Sequence, residues 1–138
     1  MTSPIEKPQT VAEAIDVIES TYEFMLAYAA QGRARNEDDP LGIRQALRRA
    51  DAALDVLEMA TPVDMGSPGG SVAEATACML SVLKQDITKS RAAFRFVLAQ
   101  ASIGSQMIDN LNASIHVRAL LTDLFLIDET LEETSDLS

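Results

Sequence analysis

Ile43-Arg44-Gln45-Ala46-Leu47-Arg48-Arg49-Ala50-Asp51-Ala52-Ala53-Leu54-Asp55-Val56-Leu57 decides the fold class. Ile43, Leu47, Ala50, Leu54 and Leu57 return at alternating spacings of four and three. That period puts them on one stripe of an α-helix, with the charged residues turned away from it. Asp39-Pro40 ahead of the stripe supplies a cap and a proline at the first helical position, where its missing N–H does no harm. Thr61-Pro62 closes the stripe, because proline pushes the preceding residue out of helical conformation. The spacing predicts a helix over 40–60.

The same rhythm extends in both directions. Upstream, Thr10-Val11-Ala12-Glu13 has the form of a capping box, in which hydroxyl and carboxylate each take an orphan backbone N–H. Val11, Ile15, Ile18, Tyr22, Met25 and Ala29 form the seam of a first helix over 11–31. Ala14, Val17, Thr21, Phe24 and Tyr28 widen that seam, and Gly32 offers the left-handed residue that commonly ends a helix. Downstream, the Gly/Pro-rich segment 61–71 fits no regular element and reads as a tether between two helical hairpins. Ser71-Val72-Ala73-Glu74 repeats the capping-box pattern and opens a third helix over 72–102. Its seam is Val72, Thr76, Met79, Leu83, Ser90, Phe94, Val97 and Ala101, with Ile87 beside it.

Gly104 and Ser105 introduce a fourth helix, expected over 105–133, whose halves differ. Ser105 to Arg118 is rich in Ser, Asn and Asp, which compete for helical backbone bonds. Leu120, Leu121, Leu124, Phe125, Leu126 and Ile127 cover most of the circumference, more apolar surface than one seam consumes. Short connections between neighbours favour an all-α, antiparallel up-down four-helix bundle. A chain of 138 residues suits one domain, with flexible tails at 1–9 and 134–138.

Composition narrows the function classes. The net charge is -10, which repels phosphate backbones and anionic headgroups, so neither nucleic acid nor a membrane is an expected partner. Residues 1–10 hold no apolar run that could serve as a signal-peptide core, and no stretch approaches the length of a membrane span. One cysteine, Cys78, excludes an intrachain disulfide and reads as a core residue. A cytoplasmic setting is expected.

Motifs for chemistry are sparse. His116 is the only histidine, and helical spacing puts it on a face with Asp109, Asn112 and Asp123. An acidic helical chain with one histidine resembles histidine phosphotransfer domains, but the lysine and glycine that follow the phosphorylated residue there are missing after His116. Glu19 and Glu23 lie one turn apart without the Glu-x-x-His pairs of a bundle metal site, so no metal and no cofactor is expected. Gly66-Ser67-Pro68-Gly69-Gly70 lacks the spacing and the lysine of a phosphate-binding loop. Arg33, Arg35, Arg44, Arg48 and Arg49 cluster around the first hairpin turn. Lys84, Arg91 and Arg95 share a face of the third helix, where pairing with the acidic stripe of helix 1 or the acidic tail is expected. Asp86 sits beside the seam and, if buried, requires a partner such as Lys89 or a residue of the fourth helix.

The excess apolar surface predicts a non-enzymatic interaction module, an adaptor, small chaperone or accessory subunit that self-associates as a homodimer or binds another protein. Candidate interface residues are Leu121, Leu124, Phe125, Tyr22, Phe24 and Tyr28. The alternative is a small-molecule or anion site between the third and fourth helices, built from Arg91, Arg95, Asp109, Asn112 and His116.

Overall fold

A computed structural model describes residues 6–32, 42–66 and 70–136, with side chains through Leu131. Among the described residues the chain is all-helical, with no strand, and it forms five helices rather than four. They are α1 (Val11–Ala30), α2 (Ile43–Glu58), α3 (Gly70–Leu98), α4 (Ser105–Ala113) and α5 (Ile115–Asp136). α2 begins at Ile43 after Gly42, whose φ of 74° is left-handed, and not at the expected cap Asp39-Pro40, which lies outside the described residues with Arg33, Arg35, the outermost tail residues and the middle of the Gly/Pro loop.

Helix ends follow local chemistry. Thr10 Oγ1 accepts from the Glu13 backbone N–H at 3.1 Å, and Glu13 reaches back to the Gln9 N–H at 2.8 Å, one residue earlier than a strict capping box. Gly32, with φ of 64°, follows α1 in the left-handed conformation that the sequence anticipates. The second expected capping box does not form. α3 begins at Gly70, whose φ of 68° favours glycine, and Ser71 is already inside the helix.

The fourth helix is broken at Ser114, with φ of -58° and ψ of 130°, into α4 and α5. Ser90 Oγ of α3 donates to the His116 carbonyl at 3.0 Å, at the start of α5. The break falls in the Asn- and Ser-rich stretch of poor helical preference. α3 also stops at Leu98, short of the expected 102. There Arg44 of α2 donates to the carbonyls of Leu98 at 2.9 Å and Gln100 at 2.6 Å, satisfying acceptors that a helix end leaves open.

α1 packs on α2, α4 and α5, while α3 packs on α2 and α5. The α2 stripe is wholly interior: Ile43, Leu47, Ala50, Leu54 and Leu57 are all buried. They meet Ile15, Ile18 and Met25 of α1, Leu83, Ile87 and Phe94 of α3, and Leu120 and Leu124 of α5 in one apolar core. Each such side chain contributes roughly 1.5–3 kcal/mol on leaving water. The α3 seam divides: Leu83 to Val97 is interior, but Val72 is 53% exposed. No described helix is long and apolar enough to cross a membrane.

The two ends of the molecule differ. Where α1 ends and α4 begins, Tyr28 Oη donates to the Ile103 carbonyl at 2.5 Å and Ser105 Oγ donates to the Tyr28 carbonyl at 2.7 Å. With the Arg44 contacts, these bonds tie that end together. The opposite end holds the start of α3 and the later turns of α5.

Candidate functional site

At that opposite end α3 and α5 leave a groove of about 540 Å³ between them. α3 lines it with Val72, Ala75, Thr76, Met79 and Leu80, α5 with Leu126, Ile127 and Thr130, and Met65 and Ser71 complete it. Their spacing explains the geometry. On α3 the lining residues fall in pairs three or four positions apart, one helical face continuous with the interior seam at Leu83. The helices thus extend past the core with apolar faces still toward each other. None of the described residues lining the groove is charged; polarity comes only from the hydroxyls of Ser71, Thr76 and Thr130. Leu126 is 55% exposed, and Thr130 Oγ1 donates to the Ile127 carbonyl at 2.7 Å.

One to two turns inward on the same seam, Asp86 of α3 meets Asp123 of α5. Asp123 is 8% exposed, and its Oδ2 accepts no hydrogen bond from the described residues. Burial, then the hydrogen bond and charge of Asp86, push its carboxyl up to about 7. The sequence expectation for Asp86 named Lys89 or a residue of the fourth helix. The partner lies on that stretch but is another acid, which favours the neutral form of Asp123 where a cation would favour the charged one.

The candidate interface residues separate by depth. Leu121, Leu124 and Tyr28 are buried in the chain's own core and present nothing to a partner. They are consumed because α5 packs against both α1 and α3. Tyr22 is half-buried beside Met25, Phe94 and Leu121. Phe24 is half-buried in a shallow cleft with Asp16 and Arg49. Phe125 is 51% exposed, next to the groove residue Leu126.

The alternative polar set is not brought together. Arg91 is buried toward α2, where its guanidinium donates to Asp51 at 2.9 Å, Asp55 at 3.2 Å and Glu58 at 2.8 Å. Its partners are therefore α2 carboxylates, not the acidic stripe of α1 or the tail. Burial alone would lower the Arg91 pKa, but the hydrogen bonds and charges of Asp51 and Asp55 outweigh it and raise the value. Lys7 bonds Asp55 from the other side, and these hydrogen bonds, Lys7 first, hold that carboxyl below its ordinary range. Arg95 reaches Asp51 at 3.4 Å.

Asp109 is exposed, and His116 is exposed on α5 while Asn112 belongs to α4, so the break at Ser114 ends the expected one-turn relation between them. Asn112 is buried with its amide nitrogen and oxygen both unpaired among the described residues. Cys78 is exposed, not in the core. It lies on the early turns of α3, which protrude beyond the packed seam. No group of three or more His, Cys, Asp or Glu among the described residues is placed to hold a metal ion.

The groove was missed in sequence because Val72, Thr76 and Met79 obey the same period as the buried positions after them. The apolar excess of 120–127 hints at one wall of it, and nothing in the sequence singles out the start of α3 as the other. No protein-family model, no curated protein and no solved structure matches the chain.

Proposed function

We propose that this chain is a non-enzymatic interaction module that receives the apolar face of a partner helix in the groove between α3 and α5. In this reading the five helices act as four antiparallel rods of a bundle, the fourth broken at Ser114. All four rods contribute to the core, and the far ends of α3 and α5 supply the docking surface. The groove itself carries the proposal. Two helices facing each other with apolar residues and no side chains between them form the receptor half of helix-in-groove recognition. Exposed Val72 and Leu126 in its lining add apolar area that association would remove from water. A partner helix lying there completes a layer the chain leaves open.

The test uses a panel of stapled helical peptides with apolar residues at i, i+3 or i+4, and i+7, flanked by neutral, acidic or basic residues. Binding is followed by fluorescence anisotropy with the parent and with Leu126→Glu. The variant position is half-exposed, so folding survives the change. Association of any panel member with the parent, weakened at least tenfold in Leu126→Glu, is the expected result. A parent that binds none of them overturns the proposal.

A further inference from the structure

We propose that the groove selects a cationic partner: an amphipathic helix of another protein with an apolar stripe and lysine or arginine on its flanks. This rests on the groove being a helix receptor and adds the chemistry of what it receives. Charge distribution around the groove favours that occupant. After Arg118 the chain has no lysine or arginine, while Asp123, Asp128, Glu129, Glu132, Glu133 and Asp136 all follow it. From Ala60 to Leu83 there is again no basic residue, and Asp64 and Glu74 are acidic. The α5 wall beyond Arg118 is therefore acidic without internal compensation, while the α3 wall carries Glu74, with its first base, Lys84, one turn past Leu80.

Four of the basic residues are committed elsewhere. Arg91, Arg95 and Lys7 pair with carboxylates of α2, and Arg44 bonds the carbonyls at the end of α3. Among groups near the groove, Glu129 is exposed one turn from Leu126, and the Asp86–Asp123 pair lies on the same seam inward of Leu80 and Ile127. An uncharged floor with an acidic surround attracts a helix of opposite pattern and speeds its arrival. Met65 and Met79 add flexible, polarisable contacts that adapt to different apolar side chains.

The dimensions agree with this occupant. From Ser71 to Leu80 the wall of α3 advances nine residues, about 14 Å at the α-helical rise. Positions i and i+7 of a bound helix are about 10.5 Å apart on the same scale, so three successive anchors fit along the floor. A second copy of this chain fits less well. Two grooves brought face to face would oppose two carboxylate-rich surrounds, and a chain of net charge -10 repels its own kind. Anionic membrane surfaces are excluded by the same sign.

The peptide panel separates this inference from the one beneath it. At moderate ionic strength the basic peptide binds at least tenfold more tightly than the acidic one of equal helicity and apolar content. Its affinity falls as salt rises from about 50 to about 300 mM, while that of the neutral peptide changes little. Glu129→Lys lowers the affinity for the basic peptide and not for the neutral one. If neutral or acidic peptides bind as tightly as the basic one, the charge inference fails and the groove stands as a receptor. If none binds, both fail. Sedimentation without peptide supplies the remaining outcome: a dimer of the parent that Leu126→Glu dissociates puts a second copy in the groove and overturns the cationic-partner assignment.

Discussion

Asp123 and Arg91 show how two buried charges of opposite sign are accommodated a few turns apart. Burial first, and then the hydrogen bond and charge of Asp86 beside it, favour the protonated form of Asp123. Its folded-state value of about 7 lies above the ordinary 3.8. Between those values the folded chain holds a proton that the unfolded chain has released, so stability is greatest on the acid side and is lost as pH rises through about 7. The unfolding free energy of the parent from urea titrations should fall between about pH 5 and pH 8, by an amount on the order of 2–3 kcal/mol. Asp123→Asn should flatten that fall, and an unchanged pH slope would show that the proton is not held there. Arg91, by contrast, meets Asp51, Asp55 and Glu58 on one face of α2. Arg91→Met leaves those carboxylates facing one another, and a loss of about 2–4 kcal/mol in chemical denaturation is expected, largest at low salt. A change under 1 kcal/mol would mean that solvent already screens the cluster.

Helix ends were where sequence and structure parted. The α2 stripe was fully legible because Ile43 to Leu57 keeps one period and nothing in it competes, and all five stripe residues are interior. The break at Ser114 was only half legible. Asn110, Asn112 and Ser114 announce weak helix, but no proline or glycine marks a stop, and the bond from Ser90 to the His116 carbonyl joins residues far apart in sequence. The end of α3 was hidden for the same reason, since it depends on a guanidinium from α2. Arg44→Ala should therefore cost about 1–3 kcal/mol and fray the last turn of α3, seen as faster amide exchange at Val97 to Gln100 with the earlier α3 seam unaffected. The groove lay beyond sequence reading because a period says which residues share a face but not how far the opposing helix follows it. Phe125 stays exposed, whereas its neighbours Leu121 and Leu124 are consumed by the core.

For the molecule as a whole, the uneven distribution of polar bonds has a dynamic counterpart. The bonds of Tyr28, Ser105 and Arg44 are gathered where α1 meets α4 and α3 ends, and the groove occupies the other extremity. Native-state hydrogen exchange should report a gradient, with slow amides near Leu54, Phe94 and Ile108 and fast ones over the first two turns of α3 and the last turns of α5. A bound helical peptide should slow the fast set alone; uniform protection would mean that the chain responds as one rigid block. The polar bonds of the tied end join α1, α2, α4 and the end of α3, and the far ends of α3 and α5 meet instead through the apolar contacts of Leu80 and Ile127. Apolar contact has no preferred direction, so a guest at that extremity would trade against the contacts of Met65, Leu80 and Ile127.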